Sequence, residues 1–278
     1  MANITATEVN KLRQQTGAGM MDCKKALVES NGDFDKAIDF LRKKGQKVAN
    51  NRADRDANEG IILAKTTADF KKAVIIMLCC ETDFVAKNKD FIDLANNILE
   101  LSLSKSPKNN DELKALLLNN RTVEENVTDL IGKTGEKMTL AHYEFVEGAK
   151  TFAYNHPGNR LASIVAFNKS DFELVDQIGK EIAMQIAAMA PIAVDKNDVD
   201  AKTIEKEIEI GKEQAKQEGK PEAMLEKIAQ GKLTKFYKDF TLLNQEFVRD
   251  NKLTVGQYLK GINKDLTVNA FKRFVLGE

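Results

Sequence analysis

The sequence predicts an α+β protein in four parts: a helical N-terminal module, two related α+β units and a helical hairpin. Three observations carry this. An unbroken apolar run, Ala73 to Cys80, has charge at both borders and is followed by Phe91, Leu94, Ala95, Ile98 and Leu101. The run reads as a strand buried on both faces and the spaced residues as an amphipathic helix. The order strand, strand, helix occurs at Gly60–Leu101 and again at Phe152–Ala190, a weak internal duplication. Late in the chain Gly219-Lys220-Pro221 joins two helical patterns, glycine closing one and proline opening the next. The boundaries that follow are 1–56 for a docking module, 57–137 for a first core subdomain, 138–200 with 245–278 for a second, and 201–244 for an inserted hairpin.

Taken in order, the first 45 residues predict three short helices. Thr5 and Glu8 have capping-box spacing ahead of Val9 and Leu12, and Gly17-Ala18-Gly19 ends that helix. Met20 to Ser30 and Asp33 to Lys44 supply the others, the last stopping at Gly45. So thin a core suits a docking unit. Lys43 to Asn58 reads as a polar linker without an apolar face. Gly60–Lys65 and Ala73–Cys80 then pair as a hairpin, with the Phe91 helix across it.

Asn110–Leu118 and Thr122–Ile131 read as helices, the second opened by a Thr122–Glu125 box. Met138–Val146, Phe152–Tyr154 and Leu161–Phe167 read as strands around the turn Asn155 to Arg160. A helix boxed by Ser170 and Glu173 carries Phe172, Val175, Ile178, Ile182 and Ile186 until Pro191. Thr203–Gln217 has a thin seam at Ile204, Ile208 and Ala215, and the returning helix carries Met224, Leu225, Ile228, Leu233, Phe236, Tyr237 and Phe240. The pair is too narrow to bury both seams alone and reads as a projecting arm. A strand from Phe271 to Leu276 closes the pattern.

At 278 residues the chain is long enough for more than one core. Its 42 Lys and Arg balance 42 Asp and Glu. No global field therefore attracts nucleic acid or anionic lipid, and no direct nucleic-acid or membrane partner is expected. Three cysteines, Cys23, Cys79 and Cys80, are too few for a disulfide framework, and the adjacent pair points to opposite faces of a strand. Met1 is followed by polar sequence with neither a signal-like nor a membrane-length apolar run, so a cytoplasmic protein is expected.

Catalytic chemistry is missing where motifs suggest it. Gly132-Lys133-Thr134 resembles the end of a phosphate loop, but Val127 stands where the first glycine belongs and a helix precedes it. Gly17-Ala18-Gly19 has Asp22 in place of a third glycine and no strand before it. Neither His142 nor His156 lies near a carboxylate or cysteine at ligand spacing on a single element, so no metal or cofactor is expected. A Cys80 nucleophile with His156 as base needs the subdomains to face across a cleft, a weaker reading than a buried structural thiol. The chain reads as a non-enzyme.

What remains is the corner Glu81-Thr82-Asp83-Phe84. Thr82 or Asp83 can cap the following helix, which leaves Phe84 in its first turn. Phe84 either folds back onto the core or makes a contact outside the chain.

Leu12-Arg13, Thr16 to Leu27 and Glu81-Thr82-Asp83-Phe84-Val85-Ala86-Lys87 resemble the signatures of bacterial translation elongation factor Ts, the nucleotide-exchange factor of elongation factor Tu. Gly219-Lys220-Pro221, Phe247-Val248 and Thr254-Val255-Gly256 resemble later landmarks in order and spacing, so the likeness covers essentially the whole chain. Thr134 stands where an apolar residue is common before Gly135, and Glu246 replaces the usual proline before Phe247. The pattern ends at Glu278, where some members carry a helical extension.

The resemblance implies a ubiquitin-associated-like N-terminal domain, an α+β core of two subdomains and an inserted coiled-coil hairpin. It implies docking on the partner's G domain around Lys24, and intrusion of Thr82, Asp83, Phe84 and Val85 beside the partner's Mg²⁺ and nucleotide site. Gly135 and His156 are implied close to that interface, Phe247 and Val248 against another domain of the partner, and the hairpin in homodimer formation. The competing expectation is a binding module without exchange activity, docking through its N-terminal helices.

Overall fold

A computed structural model describes residues 4–278. The first helix, α1 (Ala6–Thr16), opens with the expected Thr5–Glu8 capping box and closes on left-handed Gly17. It packs with α2 (Met20–Glu29) and α3 (Phe34–Asn51) around Leu12, Cys23, Leu27 and Ala37. Gly45 does not stop α3, which runs six residues further. The glycine is a crossing point instead. A Cβ there would lie 3.0 Å from the Thr128 carbonyl oxygen and 3.3 Å from the Gly132 Cα, so its missing side chain lets two helices touch at the backbone. The segment expected to be a polar linker is therefore largely helix, and Val48 and Ala49 pack on the core.

Strands β1 (Glu59–Thr66) and β2 (Lys72–Cys80) form the predicted antiparallel hairpin. The expected single helix after β2 is two: a four-residue α4 (Asp83–Ala86), then α5 (Lys89–Lys105), which Asn88 caps afresh by accepting from the Asp90 amide at 2.8 Å. α6 (Asn110–Ala115) ends three residues early because Leu117–Leu118 (β3) and Arg121–Thr122 (β4) make a minimal hairpin. α7 (Val123–Thr134) has its Thr122–Glu125 box, and it is the helix that α3 crosses.

Next come β5 (Met138–Glu147), β6 (Lys150–Asn155) and β7 (Leu161–Phe167). β5 pairs with β2, completing a sheet of order β1-β2-β5. A strand placed by sequence at the head of the second subdomain thus belongs by hydrogen bonding to the first sheet. Ala141 bulges from it, so Leu140 and Tyr143 face the same cluster despite their odd spacing.

α8 (Val175–Met189) starts on Leu174 in left-handed conformation with no side-chain cap. The Ser170–Glu173 box does not form; Phe172 packs its ring on Phe167 at 5.6 Å and holds the segment off the helix. α9 (Ala201–Gln217) and α10 (Glu222–Phe240) make the hairpin, meeting at Gly211, Ala215, Leu225, Ala229 and Leu233. β8 (Glu246–Phe247), β9 (Asp250–Thr254), an unpredicted helix α11 (Val255–Ile262) and β10 (Val268–Val275) follow. β10 joins the second sheet in the order β10-β7-β6.

The two sheets stack face to face. Ile62, Ala64, Ile75, Met77 and Cys79 meet Ala162, Ile164, Ala166 and Leu276 in the layer between them. α5, α6 and α7 cover the outer face of the first sheet; α8 and α11 cover the second. β2, central in its sheet, has every residue buried. Among the described residues, no helix is long and apolar enough to cross a membrane.

Candidate functional site

β2 ends at Cys80, and the next four residues are held from three directions. Thr82 is the cap of α4: its hydroxyl accepts from the Val85 amide at 3.4 Å. That hydroxyl also donates to Glu136 at 2.8 Å, and the Thr82 amide donates to the same carboxylate at 3.1 Å. Glu136 immediately follows Gly135, the left-handed cap of α7. The clamp therefore brings the end of α7 against the start of α4.

Glu81, whose side chain is 13% exposed, receives Arg52 at 2.7 Å, Arg55 at 3.0 Å and the Lys137 amide at 2.6 Å. Burial alone raises its pKa, but the Lys137 amide and the two guanidiniums outweigh that and hold the carboxyl at about 2. Lys137 returns the connection, its ammonium donating to the Ala53 and Arg55 carbonyls at 2.6 and 2.7 Å.

On this mount Asp83 and Phe84 point to water. Asp83 does not cap; it pairs with Lys87 at 2.6 Å, and that bond holds its carboxyl below the ordinary carboxylate value. Phe84 is 82% exposed. Val85, its neighbour, is buried in the first core cluster and anchors the turn from beneath.

The turn between β6 and β7 reaches the same end of the sheet. Asn155 holds the Ala64 backbone from both sides, accepting from its amide at 2.7 Å and donating to its carbonyl at 2.8 Å. The Ile62 amide donates to the Asn159 carbonyl at 2.7 Å, and Arg160 pairs with Glu59, which sits opposite Cys80 in the ladder. His156 stands exposed within this turn, its Nδ1 2.8 Å from the Tyr154 hydroxyl. The fold thus gathers Thr82, Asp83, Phe84 and Gly135 around one end of the first sheet, where Arg160 from the β6–β7 turn pairs with Glu59.

Lys24, Phe247 and Val248 lie elsewhere. Lys24 is exposed on α2 beside exposed Met20, Met21 and Val28. Phe247 is a core residue, 2% exposed and stacked on Tyr258 at 4.2 Å, so its ring is not a surface for any partner. Val248 is 60% exposed, and its amide donates to Gln185 at 2.9 Å. Sequence reasoning missed Arg52, Arg55 and Glu136, which share no element with the residues they hold. The only local signal was a pair of arginines in a stretch otherwise read as linker.

Nothing at this corner is arranged for covalent chemistry. Burial pushes the Cys79 thiol up to about 11 and the Cys80 thiol up to about 12. Cys80 donates to the Thr82 carbonyl at 3.2 Å rather than facing a base. Among the described residues, no group of three or more His, Cys, Asp or Glu side chains could hold a metal ion. Two clefts, of about 430 Å³ between the N-terminal helices and α5–α7 and about 640 Å³ beside Ile192 and β10, do not include the Phe84 turn.

The family model described as elongation factor TS matches residues 81–278. The chain is 54% identical over 277 residues to elongation factor Ts of Cytophaga hutchinsonii, covering 99% of this chain and 100% of that relative. It is 54% identical over 274 residues to elongation factor Ts of Amoebophilus asiaticus, covering 99% of each. Elongation factor Ts of Porphyromonas gingivalis is 52% identical over 274 residues, covering 98% of each. With a family match over most of its length and such relatives along the whole of it, the chain belongs to the elongation factor Ts family.

Proposed function

We propose that this chain is a guanine-nucleotide exchange factor in translation elongation, which binds elongation factor Tu and promotes GDP release without a covalent step. One observation carries the reading: a phenylalanine 82% exposed on a turn that is clamped from three sides. A large apolar ring held in water by a rigid mount gains free energy only when a partner covers it.

Exchange requires binding the nucleotide-free partner better than the nucleotide-bound one, since linkage then weakens nucleotide affinity by the same factor. A 10⁴-fold effect needs a differential of about 5.5 kcal/mol. Burying one aromatic ring supplies roughly 1.5–3 kcal/mol. Phe84, with Asp83 beside it, intrudes near the partner's Mg²⁺ and nucleotide site; Gly135 and His156 border that contact. The α2 face around Lys24 docks the G domain, and Val248, seated beside buried Phe247, grips another domain. Residues 1–56 act as the docking unit, and 201–244 offer a surface for a homodimer.

The test is release of labelled GDP from elongation factor Tu with catalytic amounts of the chain. Wild type accelerates it, and Phe84→Ala loses most of that effect while folding normally. No acceleration by wild type would end the proposal.

A further inference from the structure

We infer that Glu81 is a positioning residue for exchange, and that Arg52 and Arg55 act through it to fix the turn that presents Phe84. The inference rests on the exchange reading above and adds the segment after α3 to the parts that make Phe84 effective.

Four observations support it. Glu81 is the residue between the last residue of β2 and the cap of α4, so its position sets where the turn begins. Its carboxylate is shielded from water and has three donors: two guanidiniums from residues 26 and 29 positions earlier, and a backbone amide 56 positions later. The same arginine segment is fastened a second time, by the Lys137 ammonium on two of its carbonyls. Finally, α4 has only four residues, too few to hold its own direction by helical hydrogen bonds.

The Thr82–Glu136 clamp restrains one side of this short turn, and the arginine clasp restrains the other. With the clasp open, Val85 still anchors the turn in the core, but the direction of Phe84 is no longer fixed. Charge-assisted bonds of this kind confer geometry as much as affinity. Arg52 follows directly on the helix that carries the docking module to α7, so the clasp also ties the two contact regions into one frame.

The experiment is a double-mutant cycle on the full chain, reading GDP release from elongation factor Tu at saturating factor. The variants are Glu81→Ala, Arg52→Ala with Arg55→Ala, and all three together. Each arm is expected to slow the maximal rate by roughly tenfold, less than the roughly 10²-fold that a 1 Å misplacement can cost, because the Thr82–Glu136 clamp still holds the other side. The triple variant should fall within about twofold of either arm, because the groups act as one unit. Glu81→Gln keeps an acceptor for the Lys137 amide while removing the charge, and should give a rate between those of wild type and Glu81→Ala, with a thermal midpoint at neutral pH below that of wild type.

Multiplying losses would mean that the arginines touch the partner directly, and wild-type rates would mean that the clasp is idle. Either result overturns the inference while leaving the exchange reading in place. Failure of wild type to accelerate release would remove the exchange reading itself, and a Phe84→Ala variant as fast as wild type would remove the role of Phe84 and this inference with it.

Discussion

Replacing Phe84 by alanine removes a ring that the chain itself hardly covers, so stability to denaturant should change by less than about 0.5 kcal/mol. Loss of exchange without loss of stability would separate this residue from Val85 beside it, where truncation opens the first core cluster. Gly45 presents the opposite case, an inconspicuous residue with a structural duty. Gly45→Val would place a side chain against the α7 backbone, and overpacking of this kind costs about 1–3 kcal/mol, readable as a lower thermal midpoint. The thiols of Cys79 and Cys80 have pKa values raised from 9.0 by burial, so the native chain keeps their protons where an unfolded chain loses them. Stability therefore falls as pH rises through 9 toward 11–12, and iodoacetamide at neutral pH should label these two cysteines only after denaturant is added.

At the scale of elements, much of what depends on near neighbours was legible in the sequence, but the Ser170–Glu173 box does not form and α11, opened by a local Thr254–Gln257 box, was missed. Both Thr–Glu capping boxes form, Gly17 closes its helix, and the β1–β2 hairpin has the expected strands. The corner before Phe84 was visible because an apolar strand stops there abruptly. Other parts that were not legible involve distant partners. Gly45 looks like a stop until Gly132 lies against it, and Thr82 and Glu136 are 54 residues apart. Nothing local distinguishes Phe247 in the core from Val248 in water, since strand alternation puts neighbours on opposite sides and only the packing of Tyr258 decides which is inside.

The Glu81 clasp carries an element-scale prediction. Its folded pKa of about 2 lies below the ordinary 4.5, so its contribution to stability is complete above pH 4.5 and lost as pH falls toward 2. Glu81→Gln should flatten the acid side of the stability curve in that window; a loss of urea-derived unfolding free energy between pH 5 and pH 3 as large in the variant as in wild type would contradict this.

For the molecule as a whole, the clasp makes two truncations distinguishable. Removing residues 1–45 takes away the Lys24 face but leaves Arg52 and Arg55, so a residual rate that depends on Phe84 should survive. Removing residues 1–56 also strips Glu81 of both guanidiniums, and that residual rate should fall further. Titrating each truncated chain against GDP-loaded elongation factor Tu would measure both effects. A module that only docks through its N-terminal helices would lose everything at the first cut.

The same architecture dictates how the chain exchanges its amide hydrogens. β2 is paired on both edges by β1 and β5 and covered on both faces by the two packed clusters that share its residues. Deuterium can reach the amides of Val74 to Leu78 only when the whole core opens, whereas Asp83 and Phe84 stand exposed in the first turn of α4, where helix amides have no intrahelical acceptor, and exchange while the mount stays closed. Within ten residues the protein should pass from its slowest isotope clock to one of its fastest, and binding a partner should slow only the second.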